Sequence, residues 1–287
     1  RRPDEPESIR CRVSCGCSLP GPEEPVRREP QIPFASIEKG GDLTVAHVLF
    51  LGAGSDIARA LEREYARAGF DLYLAGRDPD EMRSIALDLT VRYRVSAGPL
   101  DFDITDTGSH PAFYAGLDPK PIGVICAAGY LGDQSAAQER FDEARRIVET
   151  NYLGCLSILN VVANDFEKRR SGFIVGISSV AGDRGRAANY IYGSAKAGFS
   201  AYLSGLRGRL SASDVQVLTV KPGFVRTKMT EGLPLPDRLT AGPDEAAKAI
   251  FDSQRKGRDV LYVSGIWRAI MTVISHIPER MFKRMKF

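Results

Sequence analysis

Tyr192 and Lys196 stand four residues apart in Tyr192-Gly193-Ser194-Ala195-Lys196, a spacing that one turn of helix brings onto a single face. A free phenol ionises only near a pH of about 10. An ammonium beside it favours the ionised form, so the pair could give or take a proton near neutral pH. Upstream, Ile177-Ser178-Ser179 ends in a hydroxyl that could hold a substrate oxygen. Tyr and Lys are common on helix surfaces, and such a pair alone often arises by chance. Its weight comes from Ser179 and from a glycine-bearing turn far upstream.

That turn is Gly52-Ala53-Gly54-Ser55-Asp56-Ile57-Ala58, directly after the apolar run Val45 to Leu51. Small residues there let the backbone approach a pyrophosphate, and the helix that follows offers its N-terminal amides. Asp56 and Ala58 replace two expected glycines, so the turn by itself is weak evidence. Arg77 follows the second apolar run in Leu74-Ala75-Gly76-Arg77, where such folds discriminate the adenosine ribose. An acid at that place holds a free 2'-hydroxyl, whereas Arg can pair with a 2'-phosphate. The reading favours NADP(H), with NAD(H) as the alternative.

The elements that must position these residues follow from the hydrophobic pattern. Short apolar runs at Val45–Leu51, Leu72–Ala75, Ser96–Phe102, Ile122–Ala127, Phe173–Ile177, Val215–Val220 and Val260–Val263 read as strands, most of them separated by helical segments. After the first, Ile57, Ala60, Leu61, Tyr65 and Ala68 recur at helical spacing and Gly69 supplies a stop. The alternation predicts one α/β domain over residues 45–265, a Rossmann-like, doubly wound parallel sheet with helices on both faces.

Composition sets the bounds. Hydrophobic residues make up 43% and charged residues 26% of the 287, with a formal charge of only +3. This is the composition of a globular domain, too evenly charged to suggest a nucleic-acid surface, and a small-molecule partner is expected. Residues 1–44 hold seven of the seventeen prolines and no sustained apolar period, which predicts a disordered N-terminal extension. Intact mass of protein from the native locus would separate a native extension from translation starting near Val45. Cys11, Cys15 and Cys17 lack a fourth ligand at a usual metal spacing, so no metal site is expected. Cys126 and Cys155 read as small buried hydrophobes, which fits a reducing cytoplasm.

Taken together and in order, these motifs resemble the short-chain dehydrogenase/reductase family over nearly all of residues 45–265. The family's Tyr-x-x-x-Lys falls on Tyr192 and Lys196, its active-site Ser on Ser179 rather than Ser178, and its helix Asn on Asn151. The usual Asn-Asn-Ala-Gly appears as Cys126-Ala127-Ala128-Gly129. Asp103-Ile104 resembles the pair that contacts adenine, while Pro222-Gly223, Val225 and Thr227 resemble the segment closing over nicotinamide. The resemblance implies hydride transfer between nicotinamide and a carbonyl or alcohol carbon, with Tyr192 moving the proton. It further implies that Lys196 binds the nicotinamide ribose, Ser179 positions the carbonyl and Asn151 anchors a water relay. Homodimers or homotetramers through helices near Asn151 and Tyr192 are also implied.

Within the family, Gly182-Asp183-Arg184-Gly185-Arg186-Ala187-Ala188-Asn189, Ser109-His110-Pro111 and His276-Ile277-Pro278 resemble decaprenylphosphoryl-2-keto-ribose reductases. This implies a keto-sugar substrate, with Arg184 and Arg186 near the reacting carbonyl and available to a phosphate. Residues 224–242 read as a flap over the substrate. In 266–287, Ile266, Ile270, Val273, Ile274 and Ile277 form an apolar stripe before a basic ending. Such a tail suits peripheral contact at the inner face of the cell membrane, or packing on its own domain. A soluble ketone or 3-oxoacyl reductase is the alternative enzyme, and a non-catalytic dinucleotide sensor the alternative of another class.

Overall fold

Leu49 and Leu51 must bury on one side of a strand and Val48 and Phe50 on the other, because side chains alternate along extended backbone. They belong to His47–Leu51, β1 of a seven-stranded sheet in a computed structural model that describes residues 36–39, 42–232 and 234–285. The other strands are β2 (Asp71–Gly76), β3 (Ala97–Asp101), β4 (Gly123–Cys126), β5 (Gly172–Ile177), β6 (Val215–Lys221) and β7 (Val260–Tyr262). Their order across the sheet is β7-β6-β5-β4-β1-β2-β3, and every neighbouring pair is parallel. The predicted strands are all present, with ends shifted by one or two residues.

Two cores follow from the alternation. Val48, Phe50, Leu72, Leu74 and Val175 meet α1 (Asp56–Arg67), α2 (Pro79–Tyr93) and α5 (Pro243–Arg255). Leu49, Leu51, Val124, Ile174 and Val217 meet α3 (Gly154–Arg169) and α4 (Tyr190–Leu210). Each fully buried Leu or Phe contributes roughly 1.5–3 kcal/mol, so helices on both faces are needed to close the sheet. The strand order reverses between β1 and β4, and such a switch point opens a crevice at the carboxyl ends of the strands.

Two regions extend the sequence reading. Ser36–Lys39 pairs antiparallel with Asp42–Val45 as a separate ribbon, within the stretch whose composition predicts disorder. A composition averaged over 44 residues hides the Gly40-Gly41 pair and the β-prone residues beside it. Residues 1–35, with Cys11, Cys15 and Cys17, lie outside the described residues. At the other end, α6 (Gly265–His276) packs on its own domain through buried Trp267 and Met271, against Val180 and the partly buried Phe224. Among the described residues no helix is long and apolar enough to cross a membrane.

Candidate active site

The glycine turn lies at the switch point and is shaped by backbone, not by side chains. Gly52 has φ +80°, and a Cβ there would stand 2.7 Å from Ala128 N and 2.8 Å from Ala128 Cα. Only glycine fits both the conformation and the approach of the Ala127-Ala128 strand end. Ser55 caps α1, its hydroxyl accepting from Ala58 N at 3.3 Å. The Asp56 and Ile57 amides, also in the first turn, have no acceptor among the described residues and lie on the wall of a cavity. Those N–H groups and the helix dipole make a place for a phosphate. The Asp56 side chain serves another purpose, because its carboxylate accepts from Lys228 N at 2.6 Å and ties the turn to the segment after β6.

The cavity is about 500 Å³ and runs from this turn in two directions, within the range of small-molecule sites. At one end lie Arg77, Asp103 and Ile104. Arg77 is exposed and has no hydrogen bond or ion pair among the described residues. Asp78 beside it is committed as the α2 cap, accepting from Asp80 N and Glu81 N. Burial opposes ionisation of Asp103, but hydrogen bonds from Thr105 and the Arg77 and His110 charges outweigh it and hold the carboxyl below its ordinary value. His110 is a structural residue: it is buried, and its ring nitrogens meet Ser157 Oγ at 2.9 Å and Asp103 O at 3.4 Å.

At the other end stand Ser179, Tyr192 and Lys196. Lys196 is 3% exposed, donates from Nζ to Ile177 O at 3.0 Å, and lies 5.8 Å from the centre of the Tyr192 ring. The carbonyl of β5 thus aims the ammonium along the same face as the phenol. Ser178 is occupied elsewhere, donating to Lys196 O at 3.0 Å and sharing a 2.7 Å hydrogen bond with Ser200. Ser179 Oγ accepts from Ala181 N at 3.1 Å, which leaves its own proton for the cavity. This separates the two serines as the motif spacing does.

Asn151 is the one predicted residue that does not line the cavity. It is fully buried in a π-helical turn, Glu149–Leu153, just before α3, and such turns often occur at functional sites. Its Nδ2 donates to Tyr130 O at 2.6 Å and Ile147 O at 2.8 Å, while Oδ1 accepts from Tyr130 N at 3.2 Å. Both amide protons are therefore committed, and the side chain fixes the strand end that carries Gly129. A methyl group on Gly129 would stand 3.3 Å from Asn151 Oδ1 and 3.6 Å from Lys196 Nζ, so the three meet at one point.

The remaining predicted residues, Gly54, Ala127, Pro222, Gly223, Val225 and Thr227, are on the same wall. Phe224–Val225 pairs in parallel with Thr240–Ala241, so the expected flap is held at both ends. Trp267 Nε1 donates to Leu239 O at 3.1 Å, and its indole fills the space where a Gly223 Cβ would be. Sequence reading missed this role of Trp267, as well as Glu81, Lys228 and Met229 on the wall. Arg184 corrects an expectation. It donates to Ser275 O, Ile277 O and Glu279 Oε2, and covers the Phe282 ring. It clamps the C-terminal segment and does not line the cavity.

Residues 46–236 match the family model described as short chain dehydrogenase. This chain belongs to that family. An uncharacterized oxidoreductase of Mycobacterium tuberculosis is 34% identical over 247 residues, covering 85% of this chain and 98% of that protein. An NADP-dependent 3-hydroxy acid dehydrogenase of Schizosaccharomyces pombe is 30% identical over 189 residues, 64% of this chain and 73% of that protein. Among solved structures, a short-chain dehydrogenase from Sphingobium yanoikuyae in complex with NADPH superposes with a TM-score of 0.71 at 25% identity, covering 82% of this chain and 97% of that one. The chain is thus an oxidoreductase of the alcohol–carbonyl type that uses a nicotinamide cofactor.

Proposed function

We propose that the protein is an NADP(H)-dependent reductase whose substrate is a polyhydroxy ketone, a keto-sugar that is free or carried on a polyprenyl phosphate. The observation that carries the reading is one continuous cavity with free α1 amides and an unpaired Arg77 at one end and Ser179, Tyr192 and Lys196 at the other. The first set fits a pyrophosphate and a 2'-phosphate, and the Sphingobium relative's complex with NADPH supports the choice. When bound, the nicotinamide supplies the hydride that reduces the carbonyl carbon.

This chain's residues supply the rest. Ser179 donates its hydroxyl proton in a hydrogen bond to the carbonyl oxygen and fixes its position. Tyr192 gives that oxygen its proton as charge develops on it. Lys196, held by Ile177 O, sets its positive charge 5.8 Å from the centre of the Tyr192 ring, on the side of the reacting groups. Asn151 holds the Tyr130 and Gly129 backbone against Lys196, so that proton replacement through water stays aligned. Catalysis is positioning plus stabilisation of the developing oxyanion. The test is NADPH oxidation with a panel of ketoses by the native chain and by Tyr192→Phe. Turnover by the native chain, abolished in a variant that still binds NADPH, supports the assignment. Retained turnover removes Tyr192 from it.

The yeast relative's name gives a second substrate reading, a 3-oxo acid, which the same panel tests when acetoacetate is included. The C-terminal segment supports peripheral membrane contact. Ile266, Val273, Met281 and Met285 are exposed beside exposed Arg268, Arg280, Lys283 and Arg284. Co-sedimentation with phosphatidylglycerol vesicles, lost when these four apolar residues are replaced by Ser, supports that contact; equal sedimentation refutes it. Assembly into homodimers or homotetramers is tested by light scattering.

A further inference from the structure

Arg186 lies in the loop between Ser179 and Tyr192 and lines the cavity with them. Its Nε is buried and has no hydrogen-bond partner among the described residues, and the guanidinium makes no ion pair there. Asp183 is the acid whose charge acts on Arg186, but that carboxylate already accepts from Lys221 Nζ at 2.5 Å and from Tyr262 Oη at 2.9 Å. A half-buried cation with a buried N–H and no protein acceptor is costly to maintain. Burial accordingly lowers the pKa of the guanidinium from its ordinary value.

Asn189 presents the complementary deficiency three residues later. It stands at the N-cap of α4, where Asn normally accepts from the helix amides, yet its side chain makes no cap hydrogen bond. Its Oδ1 is buried without a donor, on the wall of the same cavity. A turn in which Asn189 N donates to Arg186 O at 3.1 Å holds the two residues in register. The other cations on the wall are placed differently: Lys196 is bound to Ile177 O, Arg77 lies at the far end, after β2, and Lys228 lies in the segment after β6 whose backbone is tied to Asp56.

Resting on the reductase reading above, we infer that Arg186 and Asn189 form a subsite for a substrate that carries an anionic group beside a hydroxyl. The anion, a phosphate or a carboxylate, accepts from the Arg186 guanidinium, and the hydroxyl donates to Asn189 Oδ1. One such ligand satisfies both orphan atoms at once, which neither a plain ketone nor an alkyl chain can do. The two residues are specificity determinants of the same site, placed on the stretch of chain that joins Ser179 to Tyr192.

The test is calorimetric titration of the protein saturated with NADP+, using glycerol 3-phosphate, glycerate and glycerol as probes. Saturating NADP+ occupies the cofactor's own phosphate sites. We expect at least one anion to bind about tenfold or more tightly than glycerol, and Arg186→Met to lose about tenfold of that, the scale of one charge-assisted hydrogen bond. The stronger anion identifies the group as phosphate or carboxylate. Asn189→Ala should weaken the same anion and leave the rank order intact. Anions that bind no better than glycerol overturn the inference, as does an Arg186→Met protein that binds them like the native chain. A variant that instead loses NADP+ moves Arg186 to the cofactor and also overturns it. The titration needs no turnover, so failure of the keto-sugar reading in the ketose panel is a separate result.

Discussion

Glu62 sits on α1 with no exposed surface, and neither carboxylate oxygen has a hydrogen-bond partner among the described residues. Burial raises its pKa well above the ordinary 4.5, and Glu81 adds to that, against the opposing charges of Arg59 and Arg63. The folded protein therefore holds a proton that the unfolded chain releases. The Glu62 contribution to stability is fully present below pH 4.5 and is lost as pH rises from there towards the raised folded value. Glu62→Leu removes the titrating group and the unsatisfied oxygens together and keeps a good helix former. The unsatisfied polar group alone is worth about 1–3 kcal/mol. Each pH unit between the two pKa values adds up to about 1.4 kcal/mol. Urea denaturation of native and variant chains between pH 5 and 8 should show the variant more stable, by a margin that widens with pH. A melting point higher by roughly 2–4 °C per kcal/mol should accompany it. A destabilised variant, or a gain that does not change with pH, refutes an unpaired, titrating Glu62.

Arg77→Ala should weaken NADPH at least tenfold while changing NADH little, read by fluorescence titration; equal losses would remove the 2'-phosphate role. Gly52→Ala forces a Cβ onto the Ala128 backbone at a left-handed φ and should cost about 2 kcal/mol or more in urea unfolding. The variant should also lose cofactor affinity, and a neutral result would mean that the turn is not held as described. His110 has its pKa lowered by burial from 6.5, so the unfolded chain takes up a proton that the folded one refuses, and stability falls as pH drops below 6.5. His110→Gln should flatten the decline in melting temperature between pH 7 and 5.5; an unchanged slope assigns that decline to other groups.

The sheet is legible in the sequence because each strand is short, apolar and bounded, and Val48 to Leu51 can be satisfied only by burial on both faces. Tyr192, Lys196 and Ser179 are legible because their spacing is local. The partners that fix them are not. Ile177 O, which aims Lys196, and Tyr130, whose backbone grips Asn151, are main-chain contacts from distant elements and leave no mark on residue type. The same reason hides Trp267, whose indole takes the space at Gly223 only once α6 folds back. Arg184 and Arg186 show the limit most plainly: close in sequence and equal in chemistry, they take opposite roles, one clamping the C-terminal segment and the other lining the cavity.

The most direct test of the central claim is fluorescence titration of the purified chain with NADPH and with NADH. Saturable binding of both, tighter for NADPH, is the predicted result, since the α1 amides, Arg77 and Lys196 share one cavity. A folded protein that binds neither nucleotide would contradict the account.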